Sequence, residues 1–172
     1  MKRLLLICLI CVSCKSKSQQ VINDQLKKDN KVDSLKVDQS LLSENEREYL
    51  KSIDSISLSI DSRNQAIRSV NAKVTKDNIE SEVKLDGYSE TDGGKVNKVV
   101  AFIKDKKRDM VYFFYYLEGK VVKIASDARD NPPFYAVIYY RGDSIYKPKE
   151  LSDRSTEAVK AQSVVFLLTY FK

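Results

Sequence analysis

From residue 32 onward, apolar residues recur in alternating steps of three and four. Val32, Leu35, Leu42, Tyr49, Ile53, Ile56, Ile60, Ile67, Val70 and Val74 follow this spacing, while Gln39, Glu46 and Arg63 interrupt it. The pattern predicts a helix over about 44–73 with a weaker helical lead-in. Ser43, with Glu46 three residues on, is a capping-box pattern that would start it. SISLSIDS, residues 55–62, pulls the other way, because it alternates with period two and serine is a mediocre helix former. The three-four spacing on both sides decides for helix. The stripe is expected to cover a sheet. A coiled-coil seam is the other use, which the polar interruptions weaken.

From about residue 79 the period changes to two. Strands are expected over 80–88, 95–104, 109–117, 120–126, 134–141 and 144–148, with Asp92-Gly93-Gly94, Glu118-Gly119 and Gly142-Asp143 as turns. SDRSTEAVKAQSVVFLLTYFK then reads as a helix over about 153–170, capped by Ser152 or Ser155, with Asp153 and Glu157 near its positive end. Its last third is apolar on nearly all sides and is expected to be buried; a strand over 163–171 is the alternative. The fold class that follows is α+β: a long N-terminal helix, an antiparallel meander of about six strands, and a C-terminal helix packed on one sheet face.

The first fourteen residues carry a different pattern. Lys2 and Arg3 precede nine apolar residues, Leu4 to Val12, a run too short to span a bilayer as a mature helix. Ser13 is small and stands before Cys14. This order resembles a bacterial lipoprotein signal peptide with a lipobox, Cys11-Val12-Ser13-Cys14, although Cys11 stands where that family usually has Leu. The resemblance implies cleavage before Cys14, a lipid on its thiol and attachment to the membrane of the cell envelope. Lys15 rather than Asp after the cysteine implies the outer membrane. Residues 1–13 are then a signal peptide, 14–43 a lipid-anchored tether with the helical lead-in, and 44–172 a single α+β domain. Cys8 and Cys11 would leave with the signal, so the mature chain would hold no disulfide and no thiol nucleophile.

Composition narrows the chemistry. The net charge of +6 falls to +4 once Lys2 and Arg3 are removed, and basic residues are interspersed with acidic ones. KDKKRD, residues 104–109, brings its own acids and suits a solvated hairpin turn, so no nucleic-acid partner is expected. The absence of histidine excludes His-based triads, zinc-protease motifs and imidazole acid–base work.

The ten tyrosines and six phenylalanines fall mostly between residues 88 and 146. VYFFYYLEGKVVKI and FYAVIYYRGDSIYK read as two versions of one hairpin. With a lipid-anchored helix before them, they resemble small envelope lipoproteins of bacteria with MORN-like repeat hairpins, a resemblance that brings no active site. A two-residue Glu118-Gly119 turn would pair Leu117 with Lys120, Tyr116 with Val121, Tyr115 with Val122, Phe114 with Lys123 and Phe113 with Ile124. The second turn would pair Tyr139 with Tyr146. Tyr112, Phe114, Tyr116 and Lys123 would then share one amphipathic face, which with Tyr139 and Tyr146 forms a candidate binding face. Phe113, Tyr115, Val122 and Ile124 would meet the helices. Completion of a two-sided core is the other use of these tyrosines.

Other constellations are less specific. Asp127, Asp130 and Asn131 form an oxygen-rich loop with no calcium-loop spacing. Arg141-Gly142-Asp143 spells an adhesion tripeptide in a plausible hairpin turn. Ser81-Glu82-Val83-Lys84 has a Ser-x-x-Lys gap on an expected strand. No spacing singles out a carboxylate pair for glycoside chemistry. The expectation is therefore a non-catalytic envelope lipoprotein without cofactor or metal, binding an envelope protein or polymer. An inhibitor or immunity-type protein and a hydrolase working without histidine are the alternatives.

Overall fold

Ser43 starts the first helix as its spacing predicts: its Oγ accepts from the Glu46 amide while a Glu46 carboxylate oxygen accepts from the Ser43 amide at 2.8 Å. In the computed structural model, residues 33–76, 79–91, 94–104, 109–128 and 134–171 are described. The expected signal peptide and lipobox, Cys14 included, lie outside the described residues.

Helix α1 spans Glu44–Arg63. It stops ten residues before the expected end because Gln65–Lys76 is a strand, β2. Ile67, Val70 and Val74 look helical only when counted straight through. A bulge between Ala66 and Arg68 leaves Ile67 out of register, after which Val70, Ala72 and Val74 pair with Leu85, Val83 and Ser81 at intervals of two. β-branched residues suit that pleated surface, and eleven pairs to the next strand override the helical spacing. The helical lead-in is likewise replaced: Asp33–Leu35 is a short strand, β1, followed by a 3-10 turn at Gln39–Leu41.

The expected meander is present as β3 (Ile79–Ser89), β4 (Lys98–Lys104), β5 (Asp109–Leu117), β6 (Lys120–Ala128), β7 (Phe134–Arg141) and β8 (Ser144–Tyr146). With β1 and β2 they make one eight-stranded sheet in the order β1-β7-β6-β5-β4-β3-β2. β1 runs parallel to the first half of β7, and β8 pairs antiparallel with its second half. The β5–β6 turn places Glu118 and Gly119 both at positive φ, 52° and 78°, as a type I′ turn demands.

Helix α2, Asp153–Tyr170, begins at Ser152, whose Oγ accepts from the Ser155 amide at 3.2 Å. The two helices lie on opposite faces of the sheet. α2 covers Val83, Leu85, Val99, Ala101, Phe114, Tyr116, Val121, Ile124, Ile138 and Tyr140 through Phe166, Val159 and Leu167, forming the main core. Buried phenols tie it down: Tyr140 donates to the Thr156 carbonyl at 3.1 Å and Tyr116 to that of Ser163 at 2.8 Å. The ring of Phe171 lies where a Cβ on Gly87 would be, so any larger residue at this strand position would have to displace that ring. The last third of α2 is not buried throughout: Val164, Val165 and Leu168 are 40%, 55% and 49% exposed, because one helix can lay only one side on a sheet. Leu50, Ile53 and Ile60 of α1 are buried against the opposite face, so its stripe covers the sheet. No helix among the described residues is long and apolar enough to cross a membrane.

Candidate functional site

The sequence repeats Ser-Ile-Asp-Ser within α1, at residues 52–55 and 59–62. Seven residues are about two helical turns, so Ile53 and Ile60 face the sheet together while Asp54 and Asp61 stand together on an adjoining line. The rise across seven residues is about 10.5 Å. Two strands with one strand between them are about 9.5 Å apart. A helix laid across the strands can therefore put one aspartate over every second strand, and α1 does so.

Beneath it one row crosses six strands: Tyr88 on β3, Lys98 on β4, Tyr115 on β5, Lys123 on β6, Tyr139 on β7 and Tyr146 on β8, each opposite the next. Asp61 accepts from Lys98 Nζ at 2.6 Å and from the Tyr115 hydroxyl at 3.0 Å. Asp54 repeats the arrangement with Lys123 Nζ at 2.8 Å and the Tyr139 hydroxyl at 2.9 Å. Both lysine side chains are only 13% exposed, whereas Asp61 and Asp54 are 37% and 46% exposed. Aromatic faces take the remaining share of the ammonium charge. Lys98 Nζ lies 5.2 to 5.5 Å from the rings of Tyr88, Phe113 and Tyr115, and Lys123 Nζ 5.4 and 5.7 Å from those of Tyr115 and Tyr139. Burial pushes the Tyr115 and Tyr139 phenols well above their ordinary range, and the neighbouring aspartates push them further. Both hydroxyls therefore stay protonated as donors.

The ends of α1 are pinned as well. Tyr49 donates to the Tyr140 carbonyl at 2.6 Å, its ring lies 6.4 Å from that of Tyr146, and Arg141 lies 4.8 Å over it. At the other end Asn64 Nδ2 donates to Asn97 Oδ1, while the buried Asn64 Oδ1 has no partner.

Of the six residues expected to share a binding face, the structure brings together only Lys123, Tyr139 and Tyr146. Tyr112, Phe114 and Tyr116 are on the α2 side, Phe114 and Tyr116 fully buried and Tyr112 stacked on Phe114 at 5.8 Å. The cause is a bulge. Leu117 opposite Lys120, Tyr116 opposite Val121 and Tyr139 opposite Tyr146 are as expected, but Tyr115 lies opposite Lys123, Phe114 opposite Ile124 and Phe113 opposite Ala125. Val122 is the extra residue. A slip of one exchanges the faces of everything beyond it. Tyr115 thereby joins Lys123, and Phe114 joins Ile124. Sequence reasoning missed Tyr88, Lys98, Asp54 and Asp61; the heptad-spaced Ser-Ile-Asp-Ser repeat was the available signal for the two aspartates.

The other constellations separate. Ser81 and Lys84 are three apart on a strand and point to opposite faces, and Lys84 pairs with Asp86 at 2.9 Å. Arg141 is engaged with Tyr49 and Asn45, and Gly142 holds its turn at φ 58°. Asp127 is half-buried on β6, while Asp130 and Asn131 lie outside the described residues. No family model, curated protein or solved structure matches the chain.

Proposed function

We propose that this chain is a lipid-anchored protein of the cell envelope with a non-catalytic binding or structural role. Cys14, carrying the lipid, fixes it to the membrane, with the outer membrane as the destination that Lys15 favours. The observation that carries the non-catalytic reading is the saturation of the Tyr–Lys row. Asp54 and Asp61, the two carboxylates of the row, each accept from both an ammonium and a phenol. These groups spend their bonding capacity holding α1 to the sheet. The partner is an envelope protein or polymer.

Metabolic labelling with a fatty acid, beside membrane fractionation, tests the anchor. Wild type is expected to take up label and sediment with membranes, and Cys14→Ala to do neither. Equal labelling of both would overturn the assignment of Cys14. Catalytic turnover by the purified protein that disappears in Asp54→Asn or Asp61→Asn would overturn the non-catalytic reading.

A further inference from the structure

The groove under α1 is built for a helix of one chemical kind. Its floor offers two Lys–Tyr cradles two strands apart, and Leu117, Val122, Val137 and Tyr146 supply apolar surface around them. What fits is an amphipathic helix bearing aliphatic–acidic pairs seven residues apart, the pattern of Ile53-Asp54 and Ile60-Asp61.

α1 is also separable from the rest of the described fold. The main core lies between the sheet and α2 and contains no α1 residue. The contact under α1 is smaller, with Leu50, Ile53, Ser57 and Ile60 of the helix buried over Tyr115 and Tyr139 of the sheet. A single residue, Asn64, joins α1 to β2, and its 7% exposed side chain holds the oxygen without a partner. Opening alone would expose Leu50, Ile53 and Ile60. A helix of the same pattern would restore that burial and refill both cradles, so exchange is far closer to balance than opening.

We infer that this groove is a docking site for an acidic amphipathic helix of a partner protein, and that α1 occupies it in cis until such a helix displaces it. Complementarity of charge is the main argument: two nearly buried ammonium groups, each beside a phenol donor, meet two carboxylates at matching spacing. The inference rests on the reading of the chain as a binding protein and names the class of its partner.

The test uses the full-length protein in detergent and a fluorescent peptide with the sequence of residues 44–63. Peptide binding is read by anisotropy and the state of α1 by hydrogen exchange. Asp54→Asn with Asp61→Asn weakens the internal competitor, so the peptide is expected to bind this variant at least tenfold more tightly than wild type. The same two changes in the peptide, or Lys98→Met with Lys123→Met in the protein, are expected to abolish binding. If the Asn variant does not fold, excess peptide on wild type is expected to raise exchange in α1 and leave α2 protected. No binding in either format overturns the inference. So does equal binding of a scrambled peptide, or displacement by polyglutamate at matched charge, because charge alone would then suffice. Peptide exchange does not depend on lipid at Cys14, so failed labelling with intact exchange removes the anchor and keeps the groove.

Discussion

The two faces of this sheet are covered by helices of similar length that use different means. Under α2 the contact is apolar, and the polar atoms that cross it are phenols donating to helix carbonyls. Under α1 the contact is charged at its centre, with two Asp–Lys–Tyr groups between a few aliphatic anchors. The apolar contact specifies one half of the surface by shape and hydrophobic area. The charged contact specifies direction and register, because only a helix with correctly spaced carboxylates satisfies the lysines. Ion pairs of this kind contribute little net stability but penalise a wrong partner heavily. One face therefore holds the domain together by apolar packing and the other fixes the position of α1 by charge.

Alkaline pH is expected to break both faces and gives the largest effect. Tyr115 and Tyr139 under α1, and Tyr116 and Tyr140 under α2, all have phenols raised above the ordinary value of 10, with burial the first cause. In the unfolded chain they lose protons near pH 10, while the folded chain keeps them. Above that pH the unfolded state binds fewer protons, so stability is intact below pH 10 and falls as the pH rises beyond it. Tyrosinate absorbance should then show the exposed phenols titrating first and these four ionising together with loss of circular dichroism. Tyr115→Phe with Tyr139→Phe should move the transition to higher pH. Ionisation of all ten tyrosines before any loss of structure would refute the burial argument.

Single truncations separate the faces more finely. Phe114 is fully buried, stacked on Tyr112 and edge-on to Phe166 at 6.0 Å. Phe114→Ala is expected to cost about 3–5 kcal/mol and to destabilise the whole domain in a single transition. Ile53→Ala on α1 deletes a residue just as buried, with an expected cost of about 2–4 kcal/mol. Its effect should concentrate in α1, raising hydrogen exchange there while the α2 amides remain protected. Matching loss of protection in both helices for Ile53→Ala would show that α1 is an integral part of the core.

The difference between the faces also explains what could be read in the sequence. β3 to β8 were legible because their alternation and turn residues reinforce each other; β5 and β7 begin and end where the pattern places them. β2 was misread because the bulge at Ile67 turns a two-residue period into an apparent three-four spacing. β1 is three residues long and carries no period at all. The candidate site was half legible for the same kind of reason. Lys123, Tyr139 and Tyr146 belong to it, but Val122 shifts the register, so Tyr115 and Phe114 exchanged places in the expectation. A single unpaired residue leaves no trace in composition. Asp54 and Asp61 were hidden among the serines of a stretch whose helix-or-strand character was itself in conflict.

The outer side of α2 gives the smallest effect and marks where the apolar face ends. Val165 and Leu168 are 55% and 49% exposed, although Phe166 between them is 4% exposed. Their side chains leave the core on the far side of the helix, so the hydrophobic run VVFLL is divided by geometry into an inward pair, buried Phe166 and half-buried Leu167, and a solvent-facing remainder. Val165→Glu and Leu168→Lys should each change stability by no more than about 0.5 kcal/mol, the usual range for exposed positions. Phe166→Ala in the same turn should cost about 3–5 kcal/mol. Denaturant midpoints for the three variants would check the ordering. If Val165→Glu proved as costly as Phe166→Ala, α2 would have to be rotated on the sheet, and the division between an apolar face and a charged face would have to be redrawn.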